Sequence, residues 1–342
     1  MTTQMPSDAA AQEHSGGVDS ALAWHYGDPL REQRRMVDHA GVIDRSNRDV
    51  LVVSGTDRLP WLHSICSQHL TDLADGDTTE ALVLSPHGHV EQHWQVTELD
   101  GTVWIDTEPG SSAQVLAYLQ AMRFLKRVEP TDVSADWAVV SLVGPATADV
   151  LQAAGLPVPD LHHAVRMSDA AGAGFVRRMS WPAGDAADLI VPRDKVAATV
   201  DLLRAFGAEP AGVWAYEALR VEARRPRLGF ETDHRTIPHE VGWIGSAVHL
   251  AKGCYRGQET VARVQNLGKP PRRLVLVHLS GESDVLPESG TPIELAGRAV
   301  GFLGTAVHHH ELGPIALAVI KRTIADDAEL VVAGCRVSID RS

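Results

Sequence analysis

Eight consecutive residues, Lys252-Gly253-Cys254-Tyr255-Arg256-Gly257-Gln258-Glu259, bring a thiol together with two cations, a phenol, an amide and a carboxylate. The thiolate is the form of cysteine that attacks carbon and ligates metal, and nearby cations favour it. Lys252 and Arg256 each stand two residues from Cys254. Two glycines flank the thiol, and glycine permits sharp turns and close approach of a ligand to the main chain. Residues 258–264 read as the start of a helix, whose free N–H groups also favour an anion. The expectation is a reactive thiol on a turn. The alternative is a small buried hydrophobe, the usual fate of a free cysteine.

The remaining thiols limit what Cys254 can do. The other two cysteines, Cys66 and Cys335, are far from it and from each other, and no Cys-x-x-Cys pair exists. A disulfide framework and a self-contained zinc site are not expected. Nor can one chain with three thiols supply the four that an iron–sulfur cluster takes. Leu59, Leu62 and Cys66 share the core stripe of a predicted helix over residues 56–68, so Cys66 is assigned to the core. His308-His309-His310 precedes Glu311-Leu312-Gly313-Pro314 and reads as a hairpin loop, where three adjacent rings cannot all meet one ion. No metal site is predicted.

The chain has 342 residues, enough for two or three domains. Its net charge of −13 argues against a broad nucleic-acid face. No apolar run reaches the roughly 20 residues that a membrane helix needs. Residues 1–20 are rich in Ala, Ser, Gly and acids and lack the pattern of a signal peptide. Residues 1–22 are read as a disordered tail, and the cytoplasm as the expected compartment.

A helix is predicted to start at Asp28-Pro29, with Asp as cap and Pro in the first turn, and to stop at Gly41, its core face being Leu30, Val37 and Ala40. Residues 80–84 and 89–97 form a hairpin around Ser85-Pro86-His87-Gly88. Val90, Trp94 and Val96 are expected on the inner face of the second strand, and His89, Glu91, His93 and Gln95 on a polar outer face. A helix over 111–124 leads into a strand from Leu125. Residues 135–210 follow a strand–helix–strand, strand–helix order that suits a ferredoxin-like split βαβ unit. A helix over 212–224 carries Arg220 and Glu222. Pro270-Pro271 marks a boundary, and five strand-like runs after Arg272 predict a small barrel or sandwich.

The string Lys-Gly-Cys-Tyr-x-Gly-Gln-Glu followed by Val261-Ala262-Arg263 resembles the signature of the folate-binding YgfZ family, which includes mitochondrial iron–sulfur assembly homologues. That family is similar in fold to the T-protein (aminomethyltransferase) of the glycine cleavage system. A weaker similarity runs from about Trp24 to the C-terminus. The resemblance implies an α+β fold: a folate-binding core over 23–268 and a C-terminal β-barrel over 269–342. It implies tetrahydrofolate, or a reduced derivative, as cofactor, and iron–sulfur assembly or client proteins as partners, with tRNA modification affected indirectly. Residues 220–223, Arg-Val-Glu-Ala, match the family's Arg-x-Glu-Ala segment, which implies that Arg220 and Glu222 face the folate. The same resemblance adds Tyr255, Gln258, Glu259 and His93 to the folate-lining set. Three departures stand out. The hairpin offers Glu91 where T-proteins carry aspartate, its turn lacks Asp-x-x-Gly-Lys, and Arg224 stands where the family has glycine.

Four functions remain open at this level. The first is a folate-binding assembly factor that uses Cys254, aided by Lys252, as nucleophile or transient cluster ligand. The second is a folate-dependent aminomethyl- or methyltransferase with Glu91 as the polarising carboxylate. The third is a thiol-bearing interaction module without catalysis. The fourth is a cysteine hydrolase with His239 or His249 as base.

Overall fold

The computed structural model describes residues 12–13, 17–168, 173–281 and 285–341. Most of the predicted tail lies outside these residues; within it, Gln12–Glu13 pairs antiparallel with Ala23–His25. The chain forms two compact units. The first takes residues up to Ile65, His69–Ala81 and His93–Tyr216, and the second Cys66–Gln68, Leu82–Gln92 and Glu217–Ser342.

Besides that short pair, two larger sheets build the first unit. One runs in the order Thr78–Leu84, Val90–Leu99, Thr102–Thr107, Asp49–Ser54, Glu129–Asp132. Its first two strands extend past the unit, so that the tip of their hairpin belongs to the second. The other sheet has six strands: Ala164–Arg166, Phe175–Arg177, Ala186–Pro192, Trp137–Val143, Gly41–Asp44 and Glu209–Pro210. Residues 135–210 thus supply most of this sheet, while Gly41–Asp44 enters from outside that span. Helices Thr147–Ala153 and Val196–Ala205 cover it, their Val150, Leu151, Val200 and Leu203 packing on Val140, Leu142 and Leu189. A second apolar cluster joins Val50, Leu99 and Trp104 of the five-stranded sheet to Val139, Phe175 and Ile190 of the six-stranded one.

Sheet-on-sheet packing overturns the expected polar outer face. His93, Gln95 and Thr97 are buried, because a second layer covers this part of the face that period-two reading assigns to solvent, while His89 and Glu91 stay half-buried. The first helix, Pro29–Asp38, begins as predicted, with the Asp28 carboxylate accepting from Arg31 N. Its inner face is different: Glu32, Gln33 and Met36 are buried and Val37 is exposed. Glu32 turns inward because its carboxylate accepts the backbone N–H groups of Tyr26 and Gly212 at 2.7 and 2.9 Å. Gly41 opens a strand instead of capping the helix; a Cβ there would lie 2.4 Å from Met36 Cγ. The helix predicted over 111–124 ends at Ala121 and the next strand begins only at Glu129, leaving Phe124 and Leu125 in an exposed turn.

In the second unit the C-terminal runs close a barrel of six strands in the order Arg272–Leu279, Gly313–Lys321, Arg298–His309, Pro292–Leu295, Leu330–Val332, Cys335–Ile339. The last run splits at Ala333 and Gly334, both at positive φ, which adds the sixth strand. Val277, Ile293, Leu303, Ala316, Ala318 and Val332 fill the interior. Ile315 and Leu317 point out of the barrel and are covered by Ala218 and Val221 of the Val213–Glu222 helix. That two-sided burial explains the unbroken apolar run of this strand. The three-histidine run is not a loop: the strand continues to His309, whose ring is buried.

Candidate functional site

Cys254 is exposed, and the burial alternative for it does not hold. Its loop is pinned on either side of the thiol. On the near side, the buried Lys252 ammonium donates to the carbonyl oxygens of Cys66 and Gln68, at 2.7 and 3.1 Å, and lies 5.0 Å from the Tyr255 ring centroid. Burial lowers the Lys252 pKa, against the pull of the nearby Cys66 thiol. Its charge is thus directed to backbone carbonyls and the face of a phenol. Tyr255 is a core residue, packed with Leu82, Leu84, Trp243 and Val261; burial, with Cys66 beside it, pushes its phenol up to about 12.

Beyond the thiol, Gly257 (φ 82°) enters the Gln258–Leu267 helix against the hairpin tip. A Cβ on Gly257 would meet Ser85 O at 2.6 Å and Gly88 Cα at 2.8 Å, so this close approach requires glycine. Arg256 then clamps Glu91 through two contacts, at 3.0 and 3.5 Å. Glu91 is therefore an ion-pair partner of the cysteine loop. The second cation beside Cys254 is thus also engaged, by a carboxylate where Lys252 has backbone carbonyls. Glu259 is exposed and Gln258 half-buried at the helix start.

Arg220 and Glu222 keep different company. Arg220 is fully buried and all five of its donors have protein acceptors. Nε and Nη2 donate to Glu217 Oε2, Nη1 to Glu231 Oε2 and Arg225 O, and Nη2 also to Thr305 Oγ1. Glu231 completes the lock by accepting Thr305 N at 2.7 Å and Arg227 N at 2.7 Å. Gly304 makes room for it, since a Cβ there would lie 2.5 Å from Glu231 Oε1. The guanidinium so placed ties helix, loop and barrel strand together and offers a ligand no donor. Glu222 meets His309 Nε2 at 3.2 Å. His309 Nδ1 accepts the backbone N–H groups of Glu311 and Leu312, so Nε2 carries the ring proton and donates it to Glu222.

His93 belongs to the first unit, where it sits beside a carboxylate that sequence reasoning passed over. Glu80 Oε2 pairs with His93 Nε2 at 2.9 Å, and Glu80 Oε1 accepts Trp181 Nε1 at 3.0 Å. Thr78 shares a face with Glu80, and Gln95 and Thr97 share one with His93, by the two-residue period of a strand. Gln95 stands opposite Asp106 on the next strand and Thr97 opposite Trp104. Thr78 Oγ1, Gln95 Oε1 and Thr97 Oγ1 are buried without a hydrogen-bond partner. Orphan polar atoms inside a protein are few and call for an explanation; three on the strands that carry the buried acid–imidazole pair make this face a candidate polar ligand site. The available signal was the spacing Thr78, Glu80 and His93, Gln95, Thr97 on neighbouring strands.

Among the described residues no group of three or more His, Cys, Asp or Glu could hold a metal ion, and no helix is long and apolar enough to cross a membrane.

Comparison with known proteins fits this layout. Residues 10–252 match the GCVT N-terminal domain and residues 272–342 the CAF17 C-terminal beta-barrel domain. An aminomethyltransferase of Symbiobacterium thermophilum is 27% identical, over 90% of this chain and 86% of its own. Another, from Herpetosiphon aurantiacus, is 25% identical over 90% and 85%. In structure, the glycine cleavage system aminomethyltransferase T from Bartonella henselae superposes with a TM-score of 0.85, covering 97% of this chain and 93% of that one at 18% identity. The chain therefore belongs to the GCVT family and carries the C-terminal barrel of the YgfZ/CAF17 architecture.

Proposed function

We propose that the protein binds a reduced folate and uses Cys254 in the assembly or repair of iron–sulfur enzymes, with any effect on tRNA modification following from those enzymes. The observation that carries this reading is the exposed thiol on a loop fixed by Lys252, Gly257 and Arg256. A fixed, accessible thiol can serve a folate-borne carbon or the iron of a client, and no group of three or more His, Cys, Asp or Glu among the described residues is placed to hold a metal ion by itself. The pterin has a planar edge of N–H donors and a carbonyl acceptor. The unmatched Gln95 Oε1 and the Thr78 and Thr97 hydroxyls suit such an edge, as does Glu80, whose carboxylate has acceptor capacity beyond two bonds. Bound there, the folate would supply a one-carbon unit or its acceptor. Gln95 and the threonines would orient it, and the Glu80–His93 pair would hold a proton near it. Arg220 supports this reading only by positioning its helix, and Glu222 through His309.

A second reading, folate-dependent aminomethyl or methyl transfer, is favoured by the names of the relatives. It needs a polarising carboxylate. With Glu91 engaged by Arg256, Glu80 is the better candidate, and Glu80→Gln should then abolish transfer while folate still binds.

Titration with folinic acid by calorimetry tests the cofactor. Saturable binding is expected, weakened roughly 5- to 100-fold in Gln95→Leu, the range for a lost hydrogen bond to a buried group. Absence of heat at roughly millimolar ligand, a Kd range worth only about 4 kcal/mol, would dismiss folate. Cys254→Ala should bind folinic acid as the parent does and melt within about 0.5 kcal/mol of it, as exposed substitutions do. In cells it should fail to sustain iron–sulfur enzyme activity. Full activity in that variant would remove the thiol from the mechanism.

A further inference from the structure

Two arginines of the second unit show what a locked guanidinium looks like. Arg220 is fully buried against Glu217 and Glu231, and Arg272 is held by both Asp233 and Glu240. Arg256 is different. Its one ion partner among the described residues is Glu91, at 3.0 Å with a second contact of 3.5 Å, and the two side chains are 36% and 35% exposed. An exposed pair of this kind is worth at most about 1 kcal/mol, so another anion can displace its carboxylate. Nor does the backbone depend on it. Lys252 holds the chain before Cys254 through the carbonyl oxygens of Cys66 and Gln68. After the thiol, hairpin and helix are seated on each other: a Cβ on Gly88 would lie 2.6 Å from Thr260 Cβ and 3.1 Å from Gly257 O. Ser85 Oγ accepts the N–H groups of His87 and His89 and so fixes the turn that delivers Glu91. The guanidinium of Arg256 can therefore change partner while the chain around Cys254 stays in place.

Two residues span at most about 7 Å of chain, so an anion taken up by Arg256 is held close to the exposed Cys254 thiol. The other cation of the motif cannot do this, because the Lys252 ammonium is buried and faces backbone carbonyls. A carboxylate matches a guanidinium with two parallel bonds, of which the unequal contacts to Glu91 achieve one well and one poorly. We propose that Arg256 sets the specificity of the Cys254 site: it selects reaction partners that carry a carboxylate and receives that group in exchange for Glu91. This selectivity rests on Cys254 being the reacting group, as proposed above. Glu91 is then the resident stand-in for the partner's acid, and any anion that approaches the thiol must compete with it.

Alkylation of the full chain by iodoacetate and by iodoacetamide tests it, read by mass spectrometry on the peptide that carries Cys254. Each reagent joins a carbon to Sγ with loss of iodide, and only the first bears a carboxylate. Both attack the same thiolate, so the ratio of their rates does not depend on how much of the thiol is ionised. Glu91→Gln should raise the iodoacetate-to-iodoacetamide ratio about 3- to 5-fold and Arg256→Gln should lower it by a similar factor, the scale of one exposed charge pair. Arg256→Lys should keep part of the preference, and added salt should shrink every difference. On an Arg256→Gln background, Glu91→Gln should change nothing, since it acts through the guanidinium. Folinic acid, which carries carboxylates of its own, separates the sources of the acid. Protection from iodoacetate that needs Arg256 makes it the folate's, and labelling unchanged by folinic acid assigns it to a client protein. A pair that merely braced the loop would shift both rates together and leave the ratio where it was, and that result overturns the proposal. So does a Glu91→Gln effect that persists without Arg256. A Cys254 that neither reagent labels would overturn the reading of a reactive thiol as well.

Discussion

Replacing Arg220 by alanine is expected to cost about 3–5 kcal/mol of folding stability, the usual penalty for breaking a buried ion pair. The guanidinium reaches Glu217, Glu231, Thr305 and the Arg225 carbonyl at once. Without it two buried carboxylates lose their main counter-charge, and Arg227, 3.6 Å from Glu217, compensates in part. Arg220→Lys should recover little, because one ammonium cannot satisfy acceptors set out for a planar fork of five donors. Chemical denaturation measures both variants. A loss below about 1 kcal/mol in Arg220→Ala, the value of an exposed pair, would mean that the network contributes little to the fold. The same experiment bears on ligand binding. Where Arg220 acts by position, folinic acid affinity falls in proportion to the unfolded fraction and recovers under stabilising conditions. A direct ligand contact would leave affinity low in fully folded protein.

Where the sequence could be read and where it could not follows from how far apart the partners lie. The barrel was readable because its strands are punctuated locally by Gly, Asp or Pro; the split at Ala333–Gly334 and the continuation of a strand through His308 and His309 went unseen. The exposure of Cys254 was readable from its two glycines. The target of Lys252 was not, because Cys66 lies 186 residues away and a backbone carbonyl leaves no mark in composition. The pairing of Arg256 with Glu91 spans 165 residues and was hidden for the same reason. Arg220 and Glu222 looked like one site because they share a motif. Two residues apart on a helix they point in different directions, one to Glu217 and Glu231 and the other to His309. The polar strand misled most. Alternation says that one face differs from the other, but solvent and a second polar layer leave the same trace in sequence. Here the facing sheet brings Phe175 and Arg177 down on that face.

Asp106 is the charge on which that covered face depends, and Asp106→Asn should show it. The carboxylate pairs with Arg48 Nε at 2.6 Å and Arg177 Nη1 at 2.5 Å, and Arg177 goes on to Asp188, which accepts from Ser141. Burial alone would raise its pKa, yet the two guanidiniums overcome that and hold it at about 2. A depressed folded-state pKa gives stability that is present above the unfolded value of 3.8 and lost as pH falls through about 2. The titration is worth roughly 2 kcal/mol, at about 1.4 kcal/mol per pH unit. The parent should therefore lose stability steeply between about pH 4 and pH 2, a window set by those two values. Asp106→Asn should be weaker by about 3 kcal/mol at neutral pH, the lower end for a broken buried pair, since Glu108 and Asp188 still attend the two arginines. Its stability should also be flatter with pH across that window. Melting curves taken from pH 7 to pH 2 separate the cases: an acid limb of unchanged steepness in the variant would assign the acid sensitivity to other carboxylates. Because Gln95 stands opposite Asp106 in the register, any folinic acid binding should weaken in the same variant even at pH 7, where it remains folded. Binding left intact there would separate the ligand site from this end of the sheet and confine it to Thr78, Glu80 and His93.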